Sequence, residues 1–228
     1  MNNRRIWFRL GGVLAAAAVC TGGAAVVSDR AQKAKNVQRA FLGAIETQMQ
    51  IGCYPSETGS PADLTERERT ELQTAYTSRV EQYYTEENPC RKRYIALNED
   101  FLTACDSDVE YSESGGVADC RFDSVRLYAD RMTAVVQAQT VVWDKRISGN
   151  PEQGFSVELP VNRDTITATM KKENGVWKLD SIDSQISLSA AVSADDEVCR
   201  ECYPTFETAR QAADSIDDQA YIKEARFA

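Results

Sequence analysis

Lys171-Lys172-Glu173-Asn174-Gly175-Val176-Trp177-Lys178-Leu179-Asp180-Ser181-Ile182 is the stretch on which the reading of the fold turns. Asn-Gly between two alternating segments is a strong short-range hairpin signal, because both turn residues tolerate positive φ. Upstream, Thr165-Ile166-Thr167-Ala168-Thr169-Met170 supplies the alternating partner, and Phe155, Val157, Leu159 and Val161 alternate before it. Ser148-Gly149-Asn150-Pro151 punctuates the chain there, and Met132–Ile147 before it is a long β-branched strand ending in Val141-Val142-Trp143. Val117–Tyr128 reads as a further strand, turning at Ala129-Asp130-Arg131. Asp108–Glu113 reads as a short edge strand ahead of Gly115-Gly116.

Before residue 105 the apolar period changes from two to near four. Val37, Phe41, Ile45 and Met49 recur at helical spacing over residues 29–52. Thr65-Glu66-Arg67-Glu68 has the form of a capping box, and Leu72, Tyr76, Val80 and Tyr83 then share a face. Asn88-Pro89 breaks that helix, since proline is poorly tolerated in helix interiors. A third helix, about Cys90 to Ala104, groups Tyr94, Leu97, Phe101 and Cys105. Helices followed by a four- to five-stranded antiparallel meander define an α+β class with helices packed on one sheet face. The tail from Ser189 carries 9 acids and 4 bases, with a helical pattern from Thr205 to about Ala225. The organisation is a leader over 1–28, a helix and linker over 29–63, an α+β domain over 64–188 and an acidic tail over 189–228.

The helices, the long antiparallel strands and the closing turn-Trp177-Lys178-Leu179 hairpin resemble the nuclear-transport-factor-like, cystatin-like cone superfamily over about residues 64–186. That resemblance implies a curved sheet wrapped against helices. Enzymes of the superfamily place Asp, His or Tyr inside the cone, but this chain has no histidine and no aspartate aligns with a catalytic position. The resemblance therefore points to the binding and scaffold branches. Membrane-anchored forms resemble scaffold subunits of bacterial conjugation and secretion channels.

The leader sets the compartment. Arg4, Arg5 and Arg9 precede an uncharged run from Leu10 to Val27, 18 residues long. A cationic start ahead of an apolar segment is an export signal. The run just reaches the length of a membrane span, so an uncleaved signal anchor fits. The alanine-rich tract also offers peptidase sites, in which case the leader is a signal peptide and the protein is secreted. Cys20 follows Val19 rather than a small residue, which argues against a lipoprotein. Residues 29–228 hold 23 basic and 35 acidic side chains, a net charge of −12. Such a balance repels phosphate backbones and anionic lipid headgroups, and it speaks against nucleic-acid binding.

Outside the leader stand Cys53, Cys90, Cys105, Cys120, Cys199 and Cys202. In an exported domain an even number reads as up to three disulfides, each stabilising by roughly 3–4 kcal/mol if it closes a loop of tens of residues. Cys199-Arg-Glu-Cys202 could instead be a redox pair, or half of a zinc site. It lies in an acidic tail after the last strand, and no second such pair or histidine completes four ligands. Asp106, Asp108 and Glu110 lack the glycine and terminal acid of a calcium loop. Nothing in the sequence brings Asp100 and Asp180 together as a carboxylate pair. The missing histidine excludes Ser-His-Asp and Cys-His catalysis. Tyr76, Tyr83, Tyr94, Phe101 and Trp143 are candidates to line a pocket, although large residues at such spacings are commonly core.

These observations predict an exported, membrane-tethered envelope protein, non-enzymatic and without catalytic residues, metal or cofactor, whose cone-like domain binds another envelope protein or itself. A small apolar ligand held in the cone, and thiol–disulfide exchange at Cys199/Cys202, are the alternatives.

Overall fold

The computed structural model describes residues 30–53, 64–103, 109–187 and 202–225. Leu10–Val27, Cys105, Cys199, Asp106 and Asp108 lie outside them, and with them the leader, two of the cysteines and most of the acidic turn. Residues 30–49 form α1. Val37, Phe41, Ala44 and Ile45 are buried along one stripe of it, as a 3.6-residue period requires. The chain leaves α1 through Gly52, whose φ of +69° suits glycine. The Gly52 N–H donates to Asn98 Oδ1 at 3.0 Å.

Helix α2, Glu66–Tyr83, begins with the expected capping box of Thr65 and Glu68. Helix α3, Pro89–Thr103, has its proline in the first helical position, where the missing N–H is no loss. Asn88 seals the junction: its Oδ1 accepts from Cys90 N, and its Nδ2 donates to Leu179 O.

Five antiparallel strands follow: β1 Val109–Leu127, β2 Thr133–Asn150, β3 Gly154–Glu158, β4 Val161–Glu173 and β5 Val176–Ser187. The order is β1-β2-β4-β5, and β3 pairs with the end of β2. The expected break between an edge strand at 108–113 and a strand at 117–128 does not exist. One strand of 19 residues runs through both. Gly115 and Gly116 stay in the ladder opposite Asp144 and Trp143. Glycine at 115 lets the end of α1 abut the strand, because a Cβ there would lie 2.7 Å from Met49 O. Register shifts at Ser112/Ser114, Val117/Asp119 and Phe122/Ser124 absorb the extra residues as bulges, which also bend a strand. The Asn174-Gly175 turn forms as expected, with φ of 49° and 85°.

Alternation sorts the sheet into two faces. On one, Ala134, Val136, Ala138 and Val142 of β2 join Ile166, Ala168 and Met170 of β4 and Trp177 and Leu179 of β5. They pack against α1 and against Tyr76, Val80 and Tyr84. On the other face of β2, Val141 and Trp143 cluster with Ala118, Leu159 and Val161, while Ile147 joins Phe155 and Val157. This second face is covered by the tail. The helical pattern from Thr205 resolves into two helices, α4 Phe206–Asp214 and α5 Asp218–Ala225, parted at Ser215–Asp217. Tyr203 exchanges backbone bonds with Phe155 at 2.7 and 2.8 Å, and Ala209 and Ala213 are fully buried. The tail therefore docks with Cys202 free and exposed. Among the described residues no helix is long and apolar enough to cross a membrane.

Leu179 is 1% exposed, and Val176, three residues earlier on the same strand, is 51% exposed. Leu179→Ala should lower the unfolding free energy by about 2–5 kcal/mol. Val176→Ala should change it by less than about 0.5 kcal/mol. Urea denaturation of the two variants checks the pair.

Candidate functional site

The bulge at Ser112/Ser114 gives Glu113 its position. As the extra residue of β1 it turns inward to Lys145 of β2, with Glu113 Oε2 3.0 Å from Lys145 Nζ. Lys145 also meets Asp218 Oδ1 of α5 at 2.8 Å and donates to Ala213 O of α4 at 3.1 Å. Ser114 Oγ adds a bond to Asp218 Oδ2 at 3.2 Å. The side chains of Lys145 and Glu113 are only 6% and 4% exposed. A buried ammonium needs such partners, because an unpaired charge in a protein interior is costly.

The electrostatics of the pair are asymmetric. Burial pushes the Glu113 carboxyl up, to about 7, and the neighbouring Asp214 carboxyl acts in the same direction. The Lys145 charge opposes both. Burial alone would lower the Lys145 ammonium, but its bonds to Asp218 and Glu113 outweigh it and hold it above the ordinary lysine value. Glu113 thus changes charge near neutrality beside a lysine that stays cationic.

Glu113 also lines a cleft of about 320 Å³, open to solvent, between the end of α1, helices α2 and α3, and β1. Gln50, Cys53, Tyr76, Arg79 and Asn98 complete its polar wall. These groups are held from below. Tyr76 OH donates to Thr47 O at 3.2 Å, and Asn98 Nδ2 donates to Gln73 Oε1 at 2.7 Å. Burial, reinforced by the Asp144 charge, pushes the Cys53 thiol up to about 12, so it is protonated and a poor nucleophile. The cleft offers an exposed guanidinium, a titrating carboxyl and amide groups. Such a set can pair with a charged or hydrogen-bonding group but supplies no activated nucleophile.

The five aromatics do not line one pocket. Tyr76 alone reaches the cleft. Tyr83 packs over Gly43 between α1 and α2. Tyr94 stands edge-on to Tyr84 at 5.5 Å. Phe101 lies under Gly52, and Trp143 belongs to the opposite sheet face. Nor are the described cysteines brought together: Cys53, Cys90, Cys120 and Cys202 each carry a free thiol. Burial pushes the Cys120 thiol up to about 12 as well. Asp180 turns to Lys171 at 3.0 Å and accepts from Thr85 Oγ1 at 3.0 Å. Among the described residues no group of three or more cysteines, aspartates or glutamates is arranged to hold a metal ion.

The Glu113–Lys145–Asp218 cluster was not anticipated from the sequence. One signal for it exists. Lys145 shares its strand face with Trp143 and Ile147, so a charge interrupts an apolar row.

No family model and no curated protein matches the chain. Among solved structures, the crystal structure of the intermembrane space region of the chloroplast protein ARC6 aligns with 51% of this chain and 88% of that one. The identity is 14% and the TM-score 0.37, a likeness too small to establish a common fold.

The raised Glu113 value carries a sign. The folded protein holds this proton more tightly than the unfolded chain, so the contribution is full below the ordinary value of 4.5 and is lost as pH rises to about 7. Across that window Glu113 should reduce stability by roughly 3 kcal/mol. In Glu113→Gln this part of the pH dependence should vanish. Chemical denaturation of both proteins across the window checks it.

Proposed function

We propose that the chain is a membrane-tethered envelope protein whose α+β domain is non-enzymatic and binds another protein through the cleft between α1, α2, α3 and β1. The observation that carries this reading is how the interior is used. Phe41, Tyr84, Met170 and Trp177 fill the sheet face beneath the helices, each 7% exposed or less. That filling gives no support to a small lipophilic ligand held between this sheet face and the helices. Beside it a shallow cleft stays accessible, in which Gln50, Arg79, Asn98 and Glu113 stand among Leu72, Ala75 and Leu102, suited to an inserted side chain or loop of a partner. An acidic group of the partner would pair with Arg79, and a hydrogen-bonding group would meet Glu113 and Asn98.

Tethering is supported by the uncharged run Leu10–Val27 behind Arg4, Arg5 and Arg9. The non-enzymatic reading is supported by the absence of histidine and by the protonated Cys53 thiol in the cleft. Thiol–disulfide exchange gains no support from Cys202, whose sulfur donates to Gln153 O.

A photoreactive amino acid at Gln50, activated in native membranes, should give one dominant covalent adduct. Arg79→Glu in the same protein should lose it, with the thermal midpoint unchanged because Arg79 is exposed. A heavier copy of the chain itself as the adduct would identify the partner as a second protomer. No adduct, or the same adducts from a probe at exposed Gln137 on the other sheet face, would refute the cleft as the binding site.

A further inference from the structure

Large exposed apolar side chains gather at one end of the molecule. Tyr128 and Met132 are 49% and 48% exposed on the β1–β2 turn, and Val176 is 51% exposed on the β4–β5 turn. The two turns are neighbours, because β2 pairs with β4 at Thr133 and Lys171, and Lys172 N donates to Met132 O at 2.8 Å. A groove runs between them and the start of α1, lined by Arg30, Lys33, Tyr128, Arg131, Met132 and Trp177. Lys172 lies at its edge with its ammonium 5.9 Å from the Trp177 ring.

The charge of this end opposes that of the chain. From residue 30 to residue 45 the sequence carries Arg30, Lys33, Lys35 and Arg39 and no acid, within a region whose net charge is −12. Arg131 is held at the turn tip with φ of 57°. No ion pair among the described residues reaches Arg30, Arg131 or Lys172. Of the described acids on the two turns, Asp130 accepts from Met132 N, Thr133 N and Thr133 Oγ1, and Glu173 pairs with Lys178; Asp29, next to Arg30 in sequence, lies outside the described residues.

The position of this end in the chain identifies its occupant. The uncharged run Leu10–Val27 stops three residues before Arg30, so the groove opens where the tether of the preceding section would leave a bilayer. Cations interleaved with exposed tyrosine, methionine and valine are the composition of a surface that rests at the headgroup level. We infer that the β1–β2 and β4–β5 turns, with the start of α1, form a docking face for the anionic lipid surface beside the tether, holding the domain in one orientation on the membrane. This assignment rests on the tethering reading and adds orientation to it. The cleft at Arg79 and Glu113, near the other end of α1, is then directed away from the lipid.

The test uses the full chain in nanodiscs of phosphatidylcholine, with and without phosphatidylglycerol, and in detergent. Hydrogen exchange is followed at 127–133 and 172–177. Exchange there should slow by about tenfold in the anionic discs relative to the neutral ones, and high salt should reverse the effect. The double variant Arg131→Glu/Lys172→Glu should lose the slowing while residues 166–170 keep their protection, which shows that it folds. Equal exchange in both lipids would overturn the docking face while leaving the tether intact. Equal protection in detergent would overturn it too, in favour of cover by residues 10–27 or by a second copy. A chain that fails to enter nanodiscs would refute the tether, and this assignment with it.

Discussion

Lys145 is a cation enclosed in the middle of the second strand, and the structure around it is organised to keep it charged. The side chain stands on the same face as Trp143 and Ile147 and is 6% exposed. Its ammonium is met by a bulged glutamate of β1, an aspartate of α5 and a carbonyl of α4. Two segments far apart in sequence, β1 and the pair of tail helices, therefore converge on one atom of β2. The bulge in β1, the docked tail and the cover on the second sheet face all follow from that convergence. Replacing the whole charged cluster by apolar groups can be nearly neutral, whereas removing only one member leaves its partners buried and uncompensated.

The cluster divides the molecule into two packing problems. One sheet face is closed by α1 and α2 with aromatic and aliphatic side chains, in the ordinary manner of an α+β layer. The other face is covered from Val141 to Ile147 by a short tail that buries few of its apolar side chains completely. Ala209 and Ala213 are its fully buried contacts, with Phe206 edge-on to Phe155 at 5.9 Å. Tyr203, Phe206, Ile216 and Ile222 add partly buried apolar surface to these two alanines, and the charged contact and the Tyr203–Phe155 bonds fix the tail in register on it. Recognition is then left to the surface: a cleft beside Glu113, and a basic end with exposed Tyr128 and Met132 near the start of α1.

The legible parts of the fold were those with local physical signatures. The Thr65–Glu68 capping box, the Asn88-Pro89 break and the Asn174-Gly175 turn each depend on a few adjacent residues, and each appears where the sequence puts it. The α1 stripe at Val37, Phe41 and Ile45 was legible for the same reason. Gly115-Gly116 misled because glycine pairs usually interrupt strands. Here they admit the end of α1 against a strand that β2 holds in register on its other side. The single tail helix misled because Phe206, Ala209, Ala213, Ile216 and Ala220 keep a helical spacing across the Ser215–Asp217 interruption. The aromatics named as pocket residues scattered because sequence spacing gives the face within one element and not which faces meet. The charged cluster depends on a bulge and on a contact 104 residues apart in sequence, Ser114 to Asp218, and neither has a local pattern.

Closure of the second sheet face by the charged contact is the central claim, and native-state hydrogen exchange of the wild-type chain and Lys145→Met tests it most directly. In the wild type, amides of Ala209–Ala213 should be protected well beyond an isolated helix of nine residues. In Lys145→Met that protection should fall, while amides of Ile166–Met170 in the sheet keep theirs. Free exchange of Ala209–Ala213 in the wild type, or protection unchanged by the substitution, would contradict the account.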